Sequence, residues 1–246
     1  MKIIVCISKA PDTTSKIAFK DNNSQFDEAG VQFIVNPYDE WYALVRALEL
    51  KEANGGNVTV LNVGGAENDA IIRKALAIGA DDAVRIDAQT ADALYVAKQI
   101  AGYVKANGAD MILLGKETID YNGSQVGGMV AALLDVPYVS LASKLTMSGT
   151  TATIEREIEG GVEIIETSLP FVLSAAKGMA EARIPNMRGI MAARTKPLNV
   201  VPAFEATNST EIKSFLLPAA KTGCKYVDAD NVEELVNLLR NEAKAI

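Results

Sequence analysis

The sequence contains no histidine, only two cysteines and no long run of apolar residues. Without histidine, a Ser-His-Asp or Cys-His nucleophile, a His-ligated zinc ion and an imidazole general base are all excluded. The two cysteines, Cys6 and Cys224, give neither a disulfide framework nor a zinc-ligand spacing, and they favour a reducing cytoplasm. No apolar run approaches the roughly 20 residues that a membrane-spanning helix needs.

Basic residues are also scarce, because 24 Lys and Arg stand against 31 Asp and Glu and give a formal net charge of −7. This acidic balance argues against nucleic acid as the main partner. A chain of 246 residues with 49% apolar residues is long enough for one large α/β domain, or for one domain with an appendage. Because a strand is predicted directly after Met1, no secretory signal is expected, and we expect a bacterial cytoplasmic protein.

Apolar strand segments alternate with helical segments over the first half of the chain. Strands are predicted at Lys2–Ser8, Asn57–Val63, Ala83–Ile86 and Met111–Leu114, and helices after Asn36 and at Glu67–Ala77, Thr90–Ala106 and Val130–Leu134. Asn36 is the expected N-cap of the first helix, with Pro37 at its first position. This order predicts βαβ units, and therefore a Rossmann-like, doubly wound, mostly parallel sheet. Neither G-x-G-x-x-G after the first strand nor a G-x-x-x-x-G-K-[ST] loop is present.

A polar loop with several glycines, Gly115–Gly127, joins a predicted strand to the helix at Val130–Leu134. Free backbone N–H groups and the positive end of a helix dipole attract anions, and Ser124 and Gln125 add side-chain donors. This combination predicts a phosphate-type site. On spacing alone, the loop is equally well an ordinary βα connection with a serine cap.

The second half of the chain follows a different pattern. Glycine turns separate three strand-like segments between residues 143 and 168, which predicts a small antiparallel meander, and Pro170–Ser174 is a further strand. The segment Arg183–Pro197 is locally basic, and it is either a surface loop with a short helix or a contact surface for a partner. Residues 1–197 are predicted as the α/β domain. Residues 198–246, with a final helix at Val232–Ala245, are predicted as an arm that packs on another subunit.

Four motifs in order carry a family resemblance. They are Asn36–Glu40, Ala75–Asp81, Gly115–Gly127 and Ile154–Glu163, the last followed by Leu169-Pro170. Together they resemble the β subunit of electron transfer flavoproteins over essentially the whole chain. The resemblance implies a sheet of the adenine-nucleotide-binding type.

The resemblance also implies a function. Family members pair an α and a β subunit around one redox-active FAD. They carry electrons from flavin dehydrogenases, such as the acyl-CoA dehydrogenases of fatty acid oxidation, to a quinone oxidoreductase. The expected role is therefore that of an electron carrier and not of an enzyme, with no catalytic residue and no metal. The β subunit binds AMP in most members, and an electron-bifurcating group places a second FAD in the same pocket.

Carried over by position, the resemblance implies a set of nucleotide-binding residues and a set of docking residues. The nucleotide set is Cys6, Asn36, Pro37, Tyr38, Asp39, Val63, Gly115, Lys116, Asp120, Asn122, Gly123, Ser124, Gln125 and Val126. The docking set for a dehydrogenase is Ile184, Met187 and Arg188. The backbone N–H groups of residues 124–126 would face the phosphate, and Thr13 and Tyr38 would lie near the flavin of the partner.

The sequence departs from the family pattern at two places. Ser124-Gln125-Val126 stands where AMP-binding members usually have Asn-Gln-Thr, and the first loop is one residue shorter than usual. AMP is the first choice of ligand and a second FAD the alternative. From the residues alone, two other classes stay open: a stand-alone adenine-nucleotide-binding protein of the universal-stress type, and an adenylating ligase.

Overall fold

The computed structural model describes residues 1–89, 92–220 and 223–246, and its strands follow the apolar segments of the sequence. The strands are β1 (Lys2–Cys6), β2 (Lys9–Pro11), β3 (Phe19–Lys20), β4 (Gln25–Phe26), β5 (Phe33–Val35), β6 (Asn57–Val63), β7 (Asp82–Asp87), β8 (Met111–Gly115), β9 (Tyr138–Ser148), β10 (Thr151–Ile158), β11 (Gly161–Ser168), β12 (Phe171–Ala175) and β13 (Leu198–Pro202). Within the described chain, nine of them form one sheet in the order β11-β10-β9-β12-β8-β1-β6-β7-β13.

The centre of this sheet is β1, which pairs in parallel with β6 on one side and with β8 on the other. In the part of the sheet that runs β9-β12-β8-β1-β6-β7-β13, every pair of neighbouring strands is parallel. The remaining two pairs, β9 with β10 and β10 with β11, are antiparallel. Central strands that are buried on both faces read as continuous apolar runs, as Ile3–Val5 and Met111–Leu114 do. The predicted α/β fold with a mostly parallel sheet and a small antiparallel meander is confirmed.

Helices cover both faces of the sheet. They are α1 (Asp39–Asn54), α2 (Asp69–Ile78), α3 (Ala93–Asn107), α4 (Val126–Leu134), α5 (Met187–Ala193) and α6 (Val232–Asn237), with a 3-10 turn at Ala66–Asn68 and a π-helical turn at Leu238–Glu242. Buried residues of α1, α2 and α5, such as Leu44 and Ile72, form one apolar core with the sheet. Buried residues of α3 and α4, such as Ile100 and Val130, form a second core on the opposite face. The chain therefore has the three-layer architecture that a doubly wound sheet requires.

The direction in which strands are added reverses between β1 and β8. From β1 the chain passes through α1 to β6 and through α2 to β7, and α3 then returns it to β8 on the other side of β1. In doubly wound sheets, ligands bind in the crevice at the carboxyl ends of the strands beside this reversal. Here that crevice lies between the loops that follow Cys6 and Gly115.

Four helix starts differ from the prediction, and that of α2 differs by two residues, because a 3-10 turn precedes Asp69. Helix α1 begins at Asp39 after Tyr38, so Asn36 is not its N-cap and Pro37 is not its first residue. The cap prediction is wrong because the Asn36 side chain bonds to the loop after β8 instead. Helix α4 begins at Val126, four residues earlier than predicted. Helix α3 begins at Ala93, and its predicted first residue, Thr90, lies outside the described residues.

The C-terminal segment leaves the sheet later than the predicted boundary at residue 197. Leu198–Pro202 forms β13, which pairs in parallel with β7 at the edge of the sheet. The final helix is also shorter than predicted, because α6 ends at Asn237 and a π-helical turn follows. No residue of α6 is buried. None of the described helices is both long enough and apolar enough to span a membrane.

Candidate functional site

A fully buried asparagine connects the segment before α1 to the loop after β8. Asn36 Nδ2 donates to the carbonyl oxygen of Glu117 at 2.9 Å, and the N–H of Ile119 donates to Asn36 Oδ1 at 2.9 Å. The oxygen and the nitrogen of the side-chain amide are therefore both engaged within the protein. Asn36 positions the loop after β8 across the crevice.

Tyr38 has a backbone conformation that few non-glycine residues adopt. Its φ is 63° and its ψ is −89°, and the N–H of Asp39 donates to the carbonyl of Pro37 at 3.0 Å. Tyr38 is thus the central residue of a γ-turn with positive φ, which is rare and strained. Its side chain is 58% exposed. The turn therefore directs an aromatic ring outward from the segment that Asn36 holds.

Glu40, in the first turn of α1, bonds to the loop that follows β1. Its carboxyl group accepts the N–H of Ser8 at 2.8 Å and the Ser8 hydroxyl at 2.6 Å. Burial raises the pKa of Glu40 to about 8, although both hydrogen bonds from Ser8 act in the opposite direction. Burial, with a smaller contribution from Glu40, also raises the pKa of the Cys6 thiol above its usual range. At neutral pH these two groups are therefore mostly uncharged.

Gly115 lies directly against the start of α1. A Cβ atom at this position would stand 2.8 Å from Cγ of Glu40 and 3.0 Å from Cβ of Asp39, so the close approach requires glycine. Burial raises the pKa of Asp39 to about 6, with the charge of Lys116 opposing it. The end of β8 and the start of α1 therefore form one continuous wall of the crevice.

The loop between β8 and α4 folds back on itself through Glu117. The Ser124 hydroxyl donates to Glu117 Oε2 at 3.0 Å, and Lys116 Nζ lies 3.3 Å from Glu117 Oε1. Partial burial opposes ionisation, but the hydrogen bonds from Ser124 and Lys116 leave the pKa of Glu117 below its usual value. The Ser124 hydroxyl is thus bonded within the loop and is not the free donor that the sequence predicts.

The first turn of α4 meets the requirements of an anion site. Its N-cap residue, Gln125, makes no side-chain capping bond in the part of the chain that the structure describes. The first N–H groups of a helix have no acceptor within the helix, and the helix dipole adds partial positive charge there. The N–H groups around Gln125 and Val126 are therefore suited to a phosphate group.

The remaining predicted pocket residues lie in two environments. Cys6 and Val63 belong to one apolar cluster on the α3–α4 side of the sheet, and Val126 packs against that cluster. The other residues of the loop tip are exposed to solvent: Asp120, Asn122 and Gly123. Thr13 is exposed in a turn that Asp12 stabilises by accepting the N–H and hydroxyl of Thr14. No hydrogen bond within the described residues joins Thr13 to the crevice.

The predicted docking residues share one exposed surface at α5. Ile184 is 83% exposed, Met187 is 73% exposed, and Arg188 is exposed beside them. The helix is held closely below this surface, because a Cβ on Gly189 would stand 2.4 Å from the carbonyl oxygen of Ala77 in α2. A firmly seated helix with exposed apolar side chains suits a contact surface.

Two residues of the crevice were not singled out by the sequence. In the sequence, Glu40 is typical of an acid in the first turn of a helix, and Ser8 is typical of the last residue of a strand. The position of Glu40 inside the Asn36–Glu40 motif is the signal that connects it to the site. Within the described residues, no group of three or more His, Cys, Asp or Glu is placed to hold a metal ion.

Comparison with known proteins assigns this chain to a family. The family profile described as the electron transfer flavoprotein domain matches residues 24–206. The chain belongs to the electron transfer flavoprotein family. The resemblance seen in the four motifs is thereby confirmed, and the universal-stress and adenylating-ligase alternatives are set aside.

Several relatives of this electron transfer flavoprotein chain match it over nearly its whole length. It is 38% identical to the electron transfer flavoprotein subunit beta of Bacillus subtilis, with 100% of both chains covered. It is 36% identical to that of Syntrophomonas wolfei, over 99% of this chain and 98% of the relative. The protein of the same name from Homo sapiens is 31% identical, over 98% of this chain and 97% of the relative. The names of these relatives identify electron carriers rather than enzymes.

Proposed function

We propose that this chain is the β subunit of a heterodimeric electron carrier that shares one FAD with an α subunit. It accepts electrons from flavin dehydrogenases, such as acyl-CoA dehydrogenases, and delivers them to a quinone oxidoreductase. The match to named β subunits over the full length of the chain is the observation that carries this proposal. When bound, FAD supplies the reversible uptake of electrons, while the protein supplies position, electrostatics and exclusion of water.

The crevice beside β1 and β8 is the proposed nucleotide pocket. The start of α4 would hold the phosphate through N–H groups around Gln125 and Val126. Asn36 and Glu40 would fix the facing walls through their bonds to the two loops. The positive charge of Lys116 next to Glu117 reduces the repulsion that this carboxylate would exert on a phosphate.

AMP is the proposed ligand of this pocket, and a second FAD is the alternative. The alternative is favoured by Val126, which lacks the hydroxyl that AMP-binding members usually place there. Because the Ser124 hydroxyl is bonded to Glu117, phosphate binding would depend on backbone N–H groups. An AMP phosphate and the diphosphate of FAD are both compatible with such donors.

Two further surfaces complete the proposal. The exposed surface of Ile184, Met187 and Arg188 would receive the dehydrogenase, and the C-terminal segment would pack on the α subunit as an arm. Both cysteines are free, Cys6 buried and Cys224 exposed, which supports the reducing cytoplasm of a bacterium as the proposed location.

Co-expression with an electron transfer flavoprotein α subunit tests the proposal. We expect a yellow heterodimer that accepts electrons from a reduced flavin dehydrogenase. Denaturing release followed by mass spectrometry should give one FAD and one AMP per heterodimer. Two FAD per heterodimer would replace AMP with the bifurcating alternative. A colourless monomer that hydrolyses ATP would contradict the carrier function itself.

A further inference from the structure

The first turn of α4 lies unusually close to a tyrosine ring. A Cβ atom on Gly127 would stand 2.9 Å from Oη of Tyr138 and 3.0 Å from its Cε2 atom. A Cβ atom on Gly128 would stand 3.5 Å from Cε1 of the same ring, an ordinary contact. The backbone at residue 127 therefore approaches the ring more closely than any residue with a side chain allows.

The ring itself is fixed in place from β12 and β9. Tyr138 Oη donates to the hydroxyl of Ser174 at 3.0 Å, and Ser174 is 1% exposed. The same hydroxyl oxygen accepts the N–H of Leu141 at 3.2 Å, where β9 bulges and Leu141 has a φ of 56°. Rotating the Tyr138 ring away from α4 would break the bond to a buried hydroxyl, which is costly.

We propose that Tyr138 is a positioning residue that sets the place and direction of the phosphate-binding turn. Glycine is a poor helix former, so two consecutive glycines in a first turn do not hold their own geometry. The ring of Tyr138 supplies the missing support by packing under Gly127 and Gly128. Hydrogen bonds weaken steeply as distance and angle depart from ideal, so a shift of this turn weakens phosphate binding above all. The inference rests on the proposed nucleotide pocket and adds a residue that the family motifs do not contain.

The test compares AMP with adenosine on the co-expressed heterodimer after its nucleotide has been removed. AMP and FAD both contain an adenosine monophosphate group. AMP and adenosine therefore probe this pocket whichever of the two ligands it binds. In Tyr138→Ala, AMP should bind about tenfold more weakly, while adenosine binding should change by less than about twofold. Tyr138→Phe keeps the ring, and its AMP affinity should stay within about threefold of wild type. Isothermal titration calorimetry measures both dissociation constants.

A pair of glycine substitutions gives an independent test. Gly127→Ala places a methyl group against the fixed ring and should weaken AMP binding about tenfold. Gly161→Ala, in the antiparallel meander, places its methyl group in open space and should leave AMP affinity unchanged. Thermal unfolding of each heterodimer checks that the variants are folded.

Different outcomes separate the inference from the proposed function. An equal loss of AMP and adenosine binding in Tyr138→Ala would show a general structural role and overturn the positioning role. Unchanged AMP affinity in both Tyr138→Ala and Gly127→Ala would overturn it as well. If the wild-type heterodimer bound neither AMP nor FAD in this pocket, the nucleotide part of the proposed function would fail first, and this inference with it.

Discussion

Glu40 is a buried acid of this crevice whose ionisation is disfavoured both by burial and by neighbouring negative charges. Its carboxyl group is 6% exposed, and the charges of Asp120 and Asp39 disfavour its ionisation further. Protonation therefore accompanies folding at neutral pH, because an unfolded glutamate has a pKa near its ordinary value. The two bonds to Ser8 persist in either state, since a protonated carboxyl group can also donate to the Ser8 hydroxyl.

The pH dependence of stability follows from this raised pKa. Between about pH 4.5 and the folded value of about 8, the native state holds a proton that the unfolded state has lost. The free energy of unfolding should therefore fall as pH rises through this window, by at most about 1.4 kcal/mol per pH unit from this group. Glu40→Gln is neutral throughout and should flatten the dependence, as measured by thermal unfolding of the heterodimer at pH 5, 6, 7 and 8.

A control for this prediction lies on the facing loop. Hydrogen bonds from Ser124 and Lys116, against the effect of partial burial, lower the pKa of Glu117, so Glu117 titrates below this window. Glu117→Gln should therefore leave the slope between pH 7 and 8 unchanged, whereas at lower pH it also removes a charge that helps to raise the pKa of Asp39. A Glu40→Gln variant with the same slope as wild type would contradict a protonated Glu40.

Tyr38 gives a prediction about backbone strain. Residues held in such conformations cost about 1–3 kcal/mol, and glycine avoids that cost. Tyr38→Gly and Tyr38→Ala both remove the ring, so their difference isolates the backbone. We expect the glycine variant to be more stable than the alanine variant by about 1 kcal/mol, measured by thermal unfolding. An alanine variant as stable as the glycine variant would show that the turn is not strained.

At the scale of elements, α5 is a short helix fixed at both ends by long-range bonds. Trp41 Nε1 donates to the carbonyl of Arg183 at 3.3 Å, before the helix begins. Arg73 donates to the carbonyls of Ala193 and Lys196 at 2.8 and 2.6 Å, where it ends. Seven residues form a stable helix here because α2 and its neighbours hold the backbone, not because of intrinsic propensity. Its exposed side chains are thus free to serve a partner.

The docking role of α5 is tested by Met187→Glu. An apolar anchor at the centre of an interface typically contributes 2 kcal/mol or more, so electron transfer from the dehydrogenase should slow by at least about tenfold. The flavin content should not change, because Met187 is exposed and away from the crevice contacts. Met187→Leu keeps the apolar side chain and should transfer at nearly the wild-type rate. Stopped-flow reduction by the partner dehydrogenase measures both, and an unaffected Met187→Glu variant would remove Met187 from the docking surface.

The elements could be predicted from the sequence wherever periodicity and turn residues agree. The meander between residues 143 and 168 is an example, because Gly149 and Gly160 mark its turns and both have positive φ. The start of α4 could not be predicted in this way, because Gly127 and Gly128 lower the local helix propensity. A contact with Tyr138, which is distant in local pattern, compensates for this low propensity.

The site was predictable as a set of segments but not as a set of contacts. Asn36 followed by a proline and acids is typical of a helix cap, yet its side chain bonds to residues 117 and 119. Ser124 is typical of a free donor, yet Glu117 accepts its hydroxyl group. In each case the hydrogen-bond partner is either far away in the sequence or brought close only by the folding of a loop. The local sequence pattern carries no information on such partners.

At the scale of the whole molecule, the C-terminal segment belongs to the domain as far as Phe215. Gln99, fully buried in α3, donates from its side chain to the carbonyl of Phe204 and accepts the N–H of the same residue. Gly102 leaves room for the Phe204 ring, with a Cβ position 2.7 Å from it. Farther along, the ring of Phe215 stacks on Phe19 at 4.7 Å. An arm that reaches a partner would therefore begin after Phe215.

Among the described residues after Phe215, apolar side chains are exposed without a core of their own. Leu216 is 86% exposed, Tyr226 is 91% exposed and Val232 is 62% exposed. Isolated helices as short as α6 are marginal in water, so packing against another surface is needed to hold it. These side chains are the proposed contact with the α subunit.

Two truncations separate the arm from the domain. A chain that ends at Phe215 keeps β13 and the Gln99 bonds, so we expect a folded protein with a melting temperature close to that of the full chain but no stable complex with the α subunit. A chain that ends at Pro197 loses the edge strand and leaves the buried Gln99 amide without its partner, at a cost of about 1–3 kcal/mol from that group alone. Circular dichroism measures folding, and co-purification with a tagged α subunit measures assembly. If the chain ending at Phe215 still co-purifies, the residues after Phe215 are not the arm, and the contact with the α subunit lies on the domain itself.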